Sequence, residues 1–247
     1  MKKSNLILPG ILSSVVLIVV WEVICSLFSI SEVILPKPSA IVLELYENFA
    51  WYMLNSYYTV LITLAGFFIS AILGVLIAVA LVTSKFFERY AYPLIVGFNS
   101  VPKVALAPLF VVWLGTGAEP KIAIAFLISV FAVIVDTVHG FRSVDPALLD
   151  LAKVLRANKL DVFLKIKFPS ALPSIVSGLK IALSLALVGA IVGEFVSSQA
   201  GLGFVIMSAQ GMFDTVRVFA ALVLLAIIGM VLYALLALLE RKLTTYK

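Results

Sequence analysis

The chain has 247 residues, of which 63% are hydrophobic and 13% charged, with a mean hydropathy of +1.20 and a formal net charge of +5. A soluble domain usually carries about a quarter charged residues to cover its core. A soluble globule is therefore excluded and lipid must be part of the solvent, while the positive charge does not imply nucleic acid, because the basic residues gather at the ends of apolar runs.

Crossing a bilayer as a helix takes about 20 mainly apolar residues. Six stretches satisfy this, so the expected fold is an all-α integral membrane protein with a single domain over residues 1–247. The first span, Leu6–Ile30, follows Lys2 and Lys3 and reads as an uncleaved helix, being long for a cleaved signal. Its Cys25 is the only cysteine, so no internal disulfide is available, and the bulky Ile24 before it argues against lipidation. Glu22 lies late in this span, where it either reaches water or touches a solute.

The second span, Tyr57–Thr83, sits in an uncharged run from Asn48 to Ser84. Tyr90–Leu114 is the third, and Pro102, Lys103 and Pro108 predict that it is kinked or broken, which a membrane tolerates only where protein or a cavity covers the backbone. Lys103 has two readings: with Asn99 it faces a central pathway and suits an anion, or it snorkels to the headgroups. The fourth span, Lys121–Val138, contains Asp136, expected to pair with Arg142 or Lys180. His139 is the only histidine and has no ligand cluster at suitable spacing, so no metal site is expected.

The connection from Ser143 to Pro173 is the most informative segment. Asp145-Pro146 predicts a helix start, by capping carboxylate and by proline at the first helical position. Leu148, Leu151, Ala152 and Leu155 recur at helical spacing as an apolar stripe, with Asp150, Lys153 and Arg156 on another face. Ala157-Asn158 predicts a break, because asparagine tolerates the left-handed conformation. A second short helix is expected over Lys159–Lys167, with an Asp161–Lys165 pair, stopped by Pro169. Such a basic amphipathic hairpin either lies in the headgroups or docks on a partner.

The fifth span, Leu172–Val196, ends in Gly193-Glu194-Phe195 near the outer face, and Glu194 is a candidate contact for a receptor or a gate. The sixth, Val218–Leu239, carries no charge. Lys2, Lys3, Lys85, Arg89, Arg142, Lys153, Arg156, Lys159, Lys165, Lys167, Arg241, Lys242 and Lys247 fall on one side of this arrangement, against Lys37, Lys121 and Arg217 on the other. The positive-inside rule then places both termini and the long connection in the cytoplasm. Gly115-Thr116-Gly117 and Gly201-Leu202-Gly203 lack the Gly-Lys-Ser/Thr of a nucleotide loop, so no residue is expected to be catalytic.

The run Asp150-Leu151-Ala152, Arg156, Ile166 and Phe168-Pro169 resembles the EAA motif of ABC-importer permeases: Glu-Ala-Ala, three residues, Gly, nine residues, Ile, one residue, Leu-Pro. The spacing matches throughout, with Leu151, Phe168 and Arg156 departing from it, and Arg156 replaces the glycine of a turn that Asn158 would then have to supply. Leu35-Pro36-Lys37-Pro38-Ser39, Pro102–Phe110, Trp113–Gly117, Arg142–Pro146, Gly193–Phe195 and Gly201–Gly203, in that order, are similar to permeases of the nitrate/sulfonate/taurine group.

The resemblance implies a type I ABC-importer permease fold in a bacterial inner membrane. It implies a pathway along the interface with a second permease copy, lined by parts of the third to fifth spans, and a solute delivered by an extracytoplasmic binding protein. The loop at about 143–170 would be the coupling helix seated on a cytoplasmic ATPase, using Asp150, Leu151, Ala152, Leu155, Arg156, Ile166 and Pro169. ATP and magnesium would then sit on that ATPase, with no cofactor on this chain. Sulfonates, nitrate, taurine and vitamin-related pyrimidines or flavins are all carried by similar permeases. An ATP-independent secondary transporter or channel is the rival reading, and a membrane-anchored structural or signalling protein a further one.

Overall fold

The computed structural model describes residues 4–244, so Lys2, Lys3 and Lys247 of the charge count lie outside the described residues. Helices account for the fold and there is no strand among the described residues. In chain order they are α1 (Ser4–Leu27), α2 (Pro38–Glu47), α3 (Phe49–Thr83), α4 (Lys85–Asn99), a 3-10 turn at Lys103–Leu106, α5 (Ala107–Leu114) and α6 (Glu119–Arg142). There follow α7 (Pro146–Val154), α8 (Lys159–Val162), a π-helical turn at Phe163–Lys167, α9 (Phe168–Ser197), α10 (Leu202–Gly211) and α11 (Thr215–Thr244).

Among the described residues four helices are long and apolar enough to cross a membrane: Phe49–Thr83, Glu119–Arg142, Lys159–Ser197 and Thr215–Arg241. The expected broken span is α4 followed by α5, bent by 86° where Pro102 and Lys103 interrupt the helix, and it makes a fifth crossing if counted as one. The first expected span is α1, whose apolar stretch Leu12–Leu27 is shorter.

The centre of the molecule is α6 wedged between α3 and α9. Small residues allow this: a Cβ on Gly189 of α9 would lie 2.6 Å from Ala125 Cα of α6, and one on Gly66 of α3 would lie 2.5 Å from Ala125 Cβ. In lipid there is no hydrophobic drive between helices, so such close approach supplies the packing attraction. Ser70 and Ser129 meet across α3 and α6 with their hydroxyls 2.5 Å apart, each also bonded to its own helix. α11 leaves Leu222, Met230, Leu235 and Leu238 exposed, as a lipid-facing helix should.

Two local expectations are corrected. Pro169 does not stop a helix: it follows a π-helical turn at the start of α9, and Lys159–Ser197 runs on as one helical body. Asn158 does not supply the left-handed residue. Arg156 does, with φ 49°, while Asn158 is extended and caps α8 by accepting from Leu160 N at 3.4 Å.

The connection from α1 to α3 holds a helix that the apolar periodicity does not announce. Lys37 precedes α2 and brings no capping oxygen, so Glu22 of α1 serves: it accepts from Ser39 N at 3.0 Å and Ser39 Oγ at 2.8 Å. Glu22 is thereby a tie between α1 and α2.

Candidate functional site

Three regions hold the candidate residues. The first is the hairpin between α6 and α9. Asp145 accepts from Ala147 N at 2.9 Å and so caps α7, as its sequence requires. The helix ends in a two-bond turn, Arg156 N to Lys153 O and Ala157 N to Ala152 O, both 3.0 Å, which is the geometry that a left-handed residue closes. Asp150 pairs with Lys153 at 2.8 Å and Asp161 with Lys165 at 2.6 Å.

The apolar stripe divides. Leu148, Leu151 and Leu155 are exposed, the last 69%, whereas Ala152 is only 4% exposed and faces inward to a recess shared with Val82, Val162 and Phe163. Ala152 is thus packed on the inner side of the hairpin rather than on its outer face. Ile166 is half-buried, and Pro169 is exposed.

The second region is a groove of about 500 Å³ where the break between α4 and α5 meets α6 and α9. Lys103 and Asn99, expected together, are together: Lys103 Nζ donates to Asn99 Oδ1 at 2.8 Å and to its carbonyl at 3.0 Å, and lies 4.6 Å above the Phe131 ring. Ile181, Leu185 and Val188 of α9 form an apolar wall. Asp136 lines the same groove, and the expected pairing with Arg142 or Lys180 is absent. Arg142 is bonded to Glu88 and Lys180 to Glu240, each at 2.8 Å, because α4 and α11 bring carboxylates closer to those bases than α6 does.

The third region is the far end of α9. Glu194 is 1% exposed and cannot touch a receptor in this conformation. Thr59 Oγ1 donates to it at 2.8 Å and Gly203 N at 2.7 Å. Leu202 N donates to Thr59 Oγ1, and Gly201 N to Asn55 Oδ1, each at 2.8 Å. Gly201 has φ 106°, and a Cβ there would fall on the Glu194 carboxylate. Two polar residues of α3 and one of α9 therefore hold the turn that opens α10.

Lys121, counted among the charges at the span ends, lies in the first turn of α6 but is buried at 2% exposure, donating to Gly117 O at 2.7 Å. Asn55 and Thr59 were not singled out from the sequence; the available signal was the four-residue spacing of Asn55, Thr59 and Thr63 in an otherwise apolar run.

The bundle has one span broken beside a groove that carries Lys103 and Asp136, and an amphipathic hairpin between two crossings, features a membrane tolerates only where protein or a cavity covers the backbone. Residues 70–245 match the family of binding-protein-dependent transport system inner membrane components. The chain is 34% identical over 242 residues to a putative aliphatic sulfonates transport permease protein of Bacillus subtilis, covering 97% of this chain and 88% of that one. It is 32% identical over 250 residues to a formylaminopyrimidine transport permease protein of Halalkalibacterium halodurans, covering 100% of this chain and 99% of that one. In structure it resembles the inward-facing MetNI methionine ABC transporter, with TM-score 0.70 and 18% identity over 78% of this chain and 97% of that one. The chain belongs to the family of binding-protein-dependent transport system inner membrane components, and it is an ABC-importer permease of the type I fold.

Proposed function

We propose that this permease works as one half of a paired unit, driven by a separate cytoplasmic ATPase that docks on α7 and fed by a separate solute receptor on the outer side. The observation that carries the proposal is the outer face of α7. Leu148, Leu151 and Leu155 stand exposed on a helix capped at one end by Asp145 and closed at the other by Arg156, with the Asp150–Lys153 pair at the rim. An apolar centre with charges around it is what a protein interface uses for affinity and register. Ile166 and Pro169 set where this hairpin joins α9.

In this reading both termini are cytoplasmic, and ATP and magnesium belong to the partner. Nucleotide binding draws two such hairpins together, and the movement passes along α6 and α9 to the groove at Asn99 and Lys103 and to the Glu194 turn, which acts as a gate element. The solute is small and organic, in the range suggested by the relatives named for aliphatic sulfonates and formylaminopyrimidine.

Affinity purification of the tagged permease from its own membranes tests the docking. Wild type should carry an ATPase with it, and Leu151→Glu or Leu155→Glu should lower the recovered ATPase at least tenfold while the permease still elutes as a monodisperse peak in detergent. Undiminished recovery would show that the face serves another end, such as the headgroup layer.

A further inference from the structure

Asp136 is the carboxylate that the fold leaves without an assigned task. It projects from α6 into the groove, and no hydrogen bond or ion pair reaches it among the described residues. The bases that could neutralise it, Arg142 and Lys180, are held 2.8 Å from Glu88 and Glu240. His139, one turn along α6, faces it electrostatically but makes no hydrogen bond or ion pair with it. Gly178 of α9 clears its place: a Cβ at residue 178 would stand 2.7 Å from Asp136 Cβ and 3.3 Å from its Oδ2. An ionisable group inside a membrane domain is expensive unless it is paired or faces a water-filled path.

The remaining lining narrows what could pair with it. Phe131, Leu185 and Val188 make the walls apolar, and Lys103 contributes a cation already satisfied in part by Asn99. A bare organic anion entering here would meet the Asp136 carboxylate as a like charge, offset only by Lys103 across the groove. A solute with a donor nitrogen would supply the bond that Asp136 lacks, while its flat or apolar body lies against Phe131 and α9 and an acceptor atom meets Lys103.

We infer that Asp136 is a solute-selecting residue of this groove, and that the groove admits compounds carrying a protonated or strongly hydrogen-bond-donating nitrogen on an apolar or heteroaromatic body, an amine or amino-heterocycle, in preference to an organic anion. The inference rests on the transport reading above and specifies its substrate class. The two relatives described above divide on this point, one being named for sulfonates and the other for a formylaminopyrimidine, so overall identity does not decide it.

The test uses the whole transporter, permease with its ATPase and receptor, in proteoliposomes, with two radiolabelled probes: 4-amino-5-hydroxymethyl-2-methylpyrimidine and ethanesulfonate. ATP should drive uptake of the pyrimidine and not of ethanesulfonate. Asp136→Asn should cut pyrimidine uptake roughly tenfold, the loss expected for one charge-assisted bond, and Asp136→Glu should retain more of it. Receptor affinity for the probe and the amount of bound ATPase should be the same in all three proteins. Gly178→Ala, which crowds the carboxylate without removing it, should also lower uptake. Accumulation of ethanesulfonate by wild type, or wild-type pyrimidine uptake by Asp136→Asn, overturns the inference. So does a complex that holds its ATPase and moves neither probe. If no ATPase is bound and neither probe moves with ATP, the transport reading itself fails and takes this inference with it.

Discussion

Thr59 and Glu194, separated by 135 residues, are joined by a 2.8 Å hydrogen bond in the interior of the protein, from the threonine hydroxyl to the carboxylate. The same hydroxyl accepts from Leu202 N, so one side chain ties α3 to α9 and to the first turn of α10. A buried carboxylate needs several donors to be tolerated, and here Thr59 and Gly203 N provide them.

Replacing Thr59 by Val keeps the volume and removes the hydroxyl. It leaves Leu202 N without an acceptor and Glu194 short of a donor, a loss of about 1–3 kcal/mol. Thermal unfolding of the purified protein in detergent should show a lowered Tm for Thr59→Val and a near-normal one for Thr59→Ser. Equal Tm values for the three proteins would mean that the network holds nothing.

Gly201→Ala is expected to be worse than either. The backbone there has φ 106°, outside the region open to a residue with a side chain, and the new methyl group would collide with the Glu194 carboxylate. The turn has to move, and α10 with it. Limited proteolysis in membranes should expose a new cleavage site between residues 197 and 202; an unchanged digestion pattern would count against the rigidity of this turn.

Arg156 makes the opposite prediction. It occupies a left-handed position with φ 49° at a helix end where glycine is the ordinary choice. Arg156→Gly removes a strain of about 1–2 kcal/mol, offset by the greater freedom of glycine in the unfolded chain, about 0.5–1 kcal/mol. The net change should be a stabilisation of up to about 1.5 kcal/mol, whereas Arg156→Val, branched at Cβ, should destabilise. A Tm order of Gly, then Arg, then Val checks this, and a glycine variant less stable than the valine one would contradict the assigned geometry.

The expectations that held were those whose causes are local. The length of an apolar run is set by the thickness of the bilayer, so α3, α6, α9 and α11 could be placed from hydropathy. Pro102 acts on its own backbone, so the 86° break between α4 and α5 was legible, and so was Lys103 beside Asn99, four residues away across that break. Asp145 capping α7 and Asp161 reaching Lys165 are likewise contacts within a few residues. The importer-permease family that the short motifs suggested is borne out by the family match over residues 70–245.

What the sequence could not settle were choices between partners far apart in the chain. Arg142 had Asp136 six residues away and took Glu88, and Lys180 took Glu240. Which carboxylate wins depends on how α4 and α11 lie against the core, and hydropathy does not encode helix placement. The inward turn of Ala152, the burial of Lys121 and the meeting of Asn55 and Thr59 with the Gly201 turn have the same origin. Composition and local backbone chemistry determined that this chain crosses a membrane, where it breaks and where its hairpin starts. Only the packing of α4 and α11 against the α3, α6 and α9 core decided which of these bases are neutralised by distant carboxylates and left Asp136 facing the groove, because a charge inside a membrane protein is governed by the side chains brought against it in space.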